Sequence, residues 1–297
     1  MTGLRVLVIG HSGQLARSLV GAGMARAIKI ETAGRPSLDL NEVQHARTWL
    51  RERLMQTDRP QVVINTAAFT GVDAAEAQAA EARRMNTDAP RVIADVCAEF
   101  DRPMIHVSTD YVFSGRAVRP WSEIDQPAPV SVYGRTKLDG ERSVAQACQK
   151  HLIVRTSWLF SAFAPNFMTT ILRLARDRNE ISIVDDQVGT PTPAAALADT
   201  LLTMAEHAAS GDAPWGVYHY AGDTVMSWAT FAAHILAAAG LTDRTIRPIP
   251  GSDYPSIAAR PAWSALDSSR VREIFGCAPA DFNAGLAAAI NRHRADG

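Results

Sequence analysis

Short apolar runs separated by longer stretches of helical period recur through the first half of this chain. That alternation restricts it to a strand–helix fold with a parallel sheet. The runs at residues 4–9, 28–32, 62–65, 103–107 and 152–155 read as strands. Between them, residues 13–21, 43–54, 74–100 and 131–150 carry helical spacing, with Pro90 opening a second helix at its first turn. Each strand then has a helical crossover, and helices cover both faces of a doubly wound sheet. Beyond Trp158 the pattern changes, with loops rich in Pro, Gly and Asp at residues 185–193 and 248–261 among helices at 166–176 and 226–239. The expected architecture is α/β, with a Rossmann-type domain over residues 1–160 and a smaller C-terminal lobe over residues 161–297. Some later segments are expected to return to the first domain.

Composition then narrows the function classes. Thirty basic and thirty-one acidic side chains leave a formal charge of -1, so no global field draws the chain to nucleic acid. An anionic ligand must therefore be held locally. Cys97, Cys148 and Cys277 are odd in number, far apart and in no CxxC spacing, which speaks for reduced, mostly buried thiols over disulfides or a zinc site. The first apolar run is too short for a signal segment and no stretch has the length of a bilayer span, so a cytoplasmic protein is expected. Eight histidines form no HxxxH or HExxH pair, so no catalytic metal is expected, and His106 reads as a satisfied core residue.

The turn after the first strand, Gly10-His-Ser-Gly13-Gln-Leu-Ala16, has the form GxxGxxA. Glycines there let backbone N–H groups approach a pyrophosphate, and the following helix N-terminus favours its charge. A purely structural turn is the alternative, and the position directly after a first strand favours the dinucleotide. After the second strand the chain reads Thr32-Ala-Gly-Arg35 with no acid at the strand end. Arg35 suits a 2′-phosphate and adenine stacking, a solvated loop arginine being the alternative. Asp39 and Leu40 follow within reach of the adenine edge. Asn65-Thr-Ala-Ala68-Phe-Thr70 ends the third strand, where small Ala67 and Ala68 leave room for a cofactor or simply pack.

The constellation with most chemical content is Ser108-Thr109-Asp110 after the fourth strand, joined to Tyr133-Gly-Arg-Thr-Lys137 on the next helix. Tyr133 and Lys137 are four apart and share a helical face. A free phenol titrates near about 10, and a neighbouring ammonium lowers that value by favouring the phenolate. Lys137 is thus expected to tune Tyr133 and to hold a nicotinamide ribose. Thr109 can hydrogen-bond a substrate oxygen that gains charge as hydride arrives. Trp158, just past the fifth strand, can pack on a sugar face.

These residues resemble the extended short-chain dehydrogenase/reductases and, among them, the dTDP-4-dehydrorhamnose reductases. The likeness runs through most of the chain: Gly13-Gln-Leu, Asn65-Thr-Ala-Ala-Phe-Thr-Gly-Val-Asp73, Ser108-Thr-Asp-Tyr-Val-Phe113, Tyr133-Gly-Arg-Thr-Lys-Leu-Asp-Gly-Glu141, Arg155-Thr-Ser-Trp-Leu-Phe160, Asn166-Phe, Asp186-Gln-Val-Gly-Thr-Pro-Thr192 and Arg260-Pro. The resemblance implies Thr109, Tyr133 and Lys137 as the catalytic set, with Thr109, Asp110 and Trp158 on the sugar. Gly10, Ser12, Gly13, Gln14, Leu15, Asp39, Leu40, Ala67, Ala68 and Thr70 would line the cofactor. It implies NADPH, with NADH as the alternative, a nucleotide-sugar substrate, and a monomer or homodimer. Ala16 replaces a third glycine, and Phe69 stands where the family often has Tyr or His. Two rivals remain at this point. One is an NADP-binding regulatory subunit of the same fold, which would have no chemical need for a tuned phenol. The other is a nucleotide-sugar epimerase or dehydratase; a dehydratase needs an acid–base pair beside the threonine, where this chain has Asp110-Tyr111.

Overall fold

The apolar runs of the first half all enter one sheet. In this computed structural model, which describes residues 3–163, 165–211 and 213–296, β1 (Arg5–Ile9) leads into α1 (Gln14–Ala25), β2 (Lys29–Ala33), α2 (Val43–Met55) and β3 (Val62–Asn65). Next come α3 (Val72–Ala77), α4 (Ala79–Arg83), α5 (Ala89–Glu99), β4 (Met104–Thr109), α6 (Val132–Ala147) and β5 (His151–Thr156). β1 pairs in parallel with β2 on one side and β3 on the other, and β4 and β5 extend the sheet beyond β3. The order of strand addition thus reverses at β1, with β2 on one side and β3 on the other, which opens a crevice at the carboxyl ends of β1 and β3. All four residues of β3 are buried, as the centre of a sheet covered on both faces requires. Val6 and Val8 pack on one face with Leu15 and Leu19, while Leu7 and Ile9 pack on the other with Leu50, Leu54 and Ile93.

The second half opens with β6 (Leu159–Phe160), α7 (Phe167–Asp177), β7 (Glu180–Val184), β8 (Val188–Gly189), β9 (Thr192–Pro193) and α8 (Ala194–Ser210). β10 (Gly216–His219) then joins the large sheet beside β5 as its sixth strand, and α8 shares the core beneath α1. After β11 (Met226–Ser227) and α9 (Trp228–Ala238), β12 (Thr245–Ile249) pairs in parallel with β7; α10 (Ser269–Phe275) and α11 (Phe282–Asp296) follow. Ile171, Phe231, Ile235, Leu286 and Ile290 build a separate apolar core from α7, α9 and α11. No helix among the described residues is long and apolar enough to cross a membrane. Cys97 and Cys148 are buried, Cys277 is half-buried, and all three are free.

The sequence predicts one helical stretch over residues 74–100 with a second start at Pro90. Pro90 does lie in the first turn of α5, but a π-helical turn, Arg84–Asp88, breaks the stretch before it. The wide turn carries Asn86 and Thr87 inward. Asn86 Nδ2 donates to Thr136 Oγ1 at 3.1 Å and to the Phe69 carbonyl at 3.1 Å, and Asn86 Oδ1 accepts the Phe69 N–H at 2.8 Å. Thr87 Oγ1 donates to the Thr136 carbonyl at 2.9 Å. These bonds tie α6 to the loop after β3, which local spacing does not reveal. His106 is buried, and its Nδ1 accepts from Asn65 Nδ2 at 3.1 Å. Its Nε2 has no partner, so the expected satisfied histidine is satisfied at one nitrogen only.

Candidate active site

One end of the crevice is built by the turn after β1. Gly10 has φ of 110°, a conformation L side chains rarely adopt, and its N–H donates to the Ala33 carbonyl at 2.7 Å. The chain then enters α1 through Gly13, where an added Cβ would meet no atom within 4 Å because open cleft lies beside it. Two cavities of about 440 and 360 Å³ share Gly13, Thr66, Ala68 and Thr70 in their walls. Gly10, Ser12, Arg35, Asp39, Leu40 and Ala67 border the smaller one, and Gly13, Ala68 and Thr70 border both. Gln14, Leu15, Thr109, Asp110, Tyr133, Lys137 and Trp158 border the larger one. All sixteen positions singled out from the sequence therefore lie along one crevice.

The groups around the smaller cavity are of the kind that receive an adenosine with a 2′-phosphate. Glu31 within β2 is engaged by Arg53 at 2.6 Å, so no free carboxylate stands at the strand end, and Arg35 is exposed there. Asp39 Oδ1 accepts the Asn41 N–H at 2.9 Å and shapes the loop. Asn41, to which no sequence motif points, borders the cavity with its Oδ1 buried and unpartnered, an acceptor that suits an adenine amino group.

The larger cavity gathers the groups that can move a proton. Thr109 closes β4; its Oγ1 donates to Asp110 Oδ1 at 3.0 Å and accepts the Tyr111 N–H at 3.2 Å. Burial pushes the Asp110 carboxyl up to about 7, and its Oδ2 has no partner. Ser131 caps α6 by accepting the Gly134 N–H at 3.1 Å. Gly134 lies so close to the Tyr111 carbonyl that a Cβ would collide with it. That contact seats the first turn of α6 on the end of β4 and brings Tyr133 beside Thr109. The Tyr111 and Tyr133 rings meet edge to face at 5.6 Å.

Burial pushes the Tyr133 phenol up to about 12, and the Thr109 hydroxyl draws it back only in part. Lys137 is 2% exposed and donates from Nζ to the Val107 carbonyl at 2.8 Å. Burial brings its ammonium down to about 8, against the opposing pull of Glu141. The expectation that Lys137 lowers the Tyr133 phenol is thus corrected. The ammonium is directed at a strand carbonyl, desolvation dominates at the phenol, and Tyr133 is held protonated at neutral pH.

Trp158 has φ of 45°, a strained conformation of the kind that collects at ligand sites. Its ring lies on Trp228, with 3.4 Å between centroids and 6° between planes, so the aromatic wall is a pair. Spacing gives no sign of Trp228, which opens α9 in another part of the chain. Asp73 and Arg260, which the sequence shows only inside longer motifs, form an ion pair at 2.6 Å. Asp73 Oδ1 also accepts the N–H groups of Ile257 and Ala258 at 3.0 and 2.9 Å, which pins their loop beside α3.

Residues 4–295 match the family described as the RmlD substrate binding domain. A dTDP-4-dehydrorhamnose reductase of Sinorhizobium fredii is 37% identical over 279 residues, covering 92% of each chain. A solved dTDP-4-dehydrorhamnose reductase from Clostridium acetobutylicum superposes with a TM-score of 0.90 at 30% identity, covering 98% of this chain and 100% of that one. One from Bacillus anthracis, solved in complex with NADP, gives 0.89 at 29% identity with 100% of both chains covered. With the profile matched along nearly its whole length and the crevice built as described, the chain belongs to the dTDP-4-dehydrorhamnose reductase family, a family of NAD(P)H-dependent oxidoreductases.

Proposed function

We propose that the protein reduces the C4 keto group of dTDP-4-dehydro-β-L-rhamnose with NADPH, giving dTDP-L-rhamnose, and that Tyr133 donates the proton. The observation that carries this reading is a half-buried, protonated Tyr133 phenol bordering one cavity with the Thr109 hydroxyl and the Lys137 ammonium. Bound along the Gly10–Gly13 turn with Arg35 on its 2′-phosphate, NADPH supplies a hydride to C4. Tyr133 and Thr109 donate hydrogen bonds to the C4 oxygen, which gains charge as the carbonyl is reduced. Below about pH 7 the Asp110 carboxyl carries its own proton and can donate to Thr109 Oγ1, which frees the threonine hydroxyl to turn toward the ketone. Tyr133 then gives its proton to that oxygen, with the Lys137 ammonium bordering the same cavity. The Trp158 ring offers a flat apolar wall to the sugar, and Asp110 an acceptor to its hydroxyls.

All of these residues lie along one crevice of a single chain, which a monomer and a homodimer both supply. We place the reaction in the cytoplasm, where NADPH and nucleotide sugars are both supplied. A coupled assay tests the reading: the keto-sugar is generated in place and NADPH absorbance is followed with and without the protein. Protein-dependent loss of NADPH with formation of the deoxysugar nucleotide is expected. Absence of that loss overturns the proposal.

A further inference from the structure

We infer that Gly189 is a positioning residue for Trp158: the indole rests against its bare backbone, which sets where the aromatic wall of the larger cavity stands. The inference deepens the reading above and rests on it only for the sugar assigned to that wall. Gly189 lies in β8, is buried, and does not itself border the cavity. Its φ lies outside the left-handed region, so the backbone makes no demand for glycine. Space makes the demand. A Cβ on Gly189 would stand 2.5 Å from Cε2 and 2.6 Å from Nε1 of Trp158, well inside the contact distance of unbonded atoms. The next nearest atom, Ser264 Oγ at 2.8 Å, ends a short side chain that can turn away.

The indole has no such freedom. The Thr192 N–H donates to the Trp158 carbonyl at 3.2 Å and holds its backbone in the strained conformation at φ of 45°. The ring is stacked on Trp228, and Phe167 in turn meets the Trp228 ring at 4.5 Å. Trp228 is tied to the same strand as Gly189. β8 pairs with β11, which sets Gly189 opposite Met226, and Ser227 then caps α9, whose first residue is Trp228. One two-residue strand thus supports Trp158 directly and Trp228 through its partner strand. A methyl group at position 189 would displace the first ring from the second and reshape the wall of the cavity that both border.

The chain has six tryptophans, so fluorine NMR of the protein labelled with 5-fluorotryptophan gives six signals. Trp158→Phe and Trp228→Phe assign the stacked pair by loss of one signal each. In the substrate-free protein, Gly189→Ala is expected to move these two signals more than the other four, because each ring leaves the ring current of its neighbour. In the coupled assay the same variant should raise the Michaelis constant for the nucleotide sugar about tenfold, the scale of one lost ring contact. Turnover and NADP+ affinity should stay within about twofold of wild type, as when binding common to ground and transition states is removed. Trp158→Ala takes the ring away, so Gly189→Ala added to it should change the Michaelis constant no further. A folded Gly189→Ala with unmoved Trp158 and Trp228 signals or a wild-type Michaelis constant overturns the inference, and so does an effect that adds in full to that of Trp158→Ala. If Gly189→Ala does not fold, the double variant with Trp158→Ala should fold again because room is restored, and a double variant that stays unfolded overturns it equally. Should the wild-type protein reduce no keto-sugar, the substrate reading falls, and the fluorine shifts still decide whether Gly189 places Trp158.

Discussion

One oxygen separates the proposed acid from an inert ring at position 133. Tyr133→Phe removes almost no volume, so fold and NADPH affinity should survive while turnover falls by roughly 10²–10⁴, the range for general acid catalysis. Steady-state NADPH oxidation at the wild-type rate would remove the phenol from the mechanism. Arg35→Asp should weaken NADPH by about 1–2 kcal/mol and leave NADH nearly unaffected. An exposed guanidinium contributes less than a desolvated one, and the substitution adds repulsion to the phosphate. Fluorescence titration with both cofactors checks this, and equal weakening would mean that Arg35 does not read the phosphate. Asp110 sets a dependence on acidity. Its folded value lies above the unfolded one, so the native state binds the proton more tightly and stability falls as pH rises from about 4 through about 7. Asp110→Asn should flatten that fall, giving a variant more stable than wild type above pH 7 with the gap closing toward pH 4, as followed by urea midpoints. Parallel pH profiles for the two proteins would show that Asp110 ionises freely. Residues such as Thr109, Tyr133 and Lys137 were legible because strand-end position and a spacing of four are local facts. Trp228 and Asn41 were not, since one meets Trp158 only through the fold and the other shows its worth only as an unpartnered buried oxygen.

At the level of elements, periodicity located the helices and left out what interrupts them. The stretch before Pro90 is rich in helix formers as far as Met85, and Asn86-Thr-Asp88 weaken the helical preference without specifying a π turn. Its cause is tertiary: Asn86 is fully buried and binds both the Phe69 backbone and the Thr136 hydroxyl. Asn86→Ala should therefore cost about 2–4 kcal/mol, the sum of lost bonds and stranded buried groups. Because the same bonds hold the loop after β3, NADPH affinity should fall as well. Chemical denaturation together with cofactor titration measures both, and a loss below about 0.5 kcal/mol, as for ordinary surface substitutions, would show that the turn stands without this anchor. The strand ending at Thr109 was read two residues short for a related reason. Ser108 and Thr109 are polar and look like a loop, yet both are buried and pair in register with Arg155 and Thr156 of β5.

Across the whole molecule, strand–helix alternation announced the parallel sheet and its first five strands. The sixth was anticipated only as later segments returning to the first domain, because β10 is four residues long and only partly buried. It reaches β5 from more than sixty residues further along the chain, after α7, α8 and the short strands between them. A ribosome that has released the first 160 residues has thus made most of a nucleotide-binding sheet with one margin unfinished. The backbone groups of β5 along that side stay without their strand partner until Gly216–His219 emerges, and an open strand edge invites pairing with neighbouring chains. A fragment ending at residue 160 should accordingly aggregate, whereas one carried to residue 220 should be markedly more soluble, as centrifugation of the expressed fragments will show. Equal solubility would mean that β5 protects its own edge. The growing polypeptide is therefore most vulnerable during the interval in which the second lobe is being translated, and the tempo of synthesis through that interval becomes a determinant of yield.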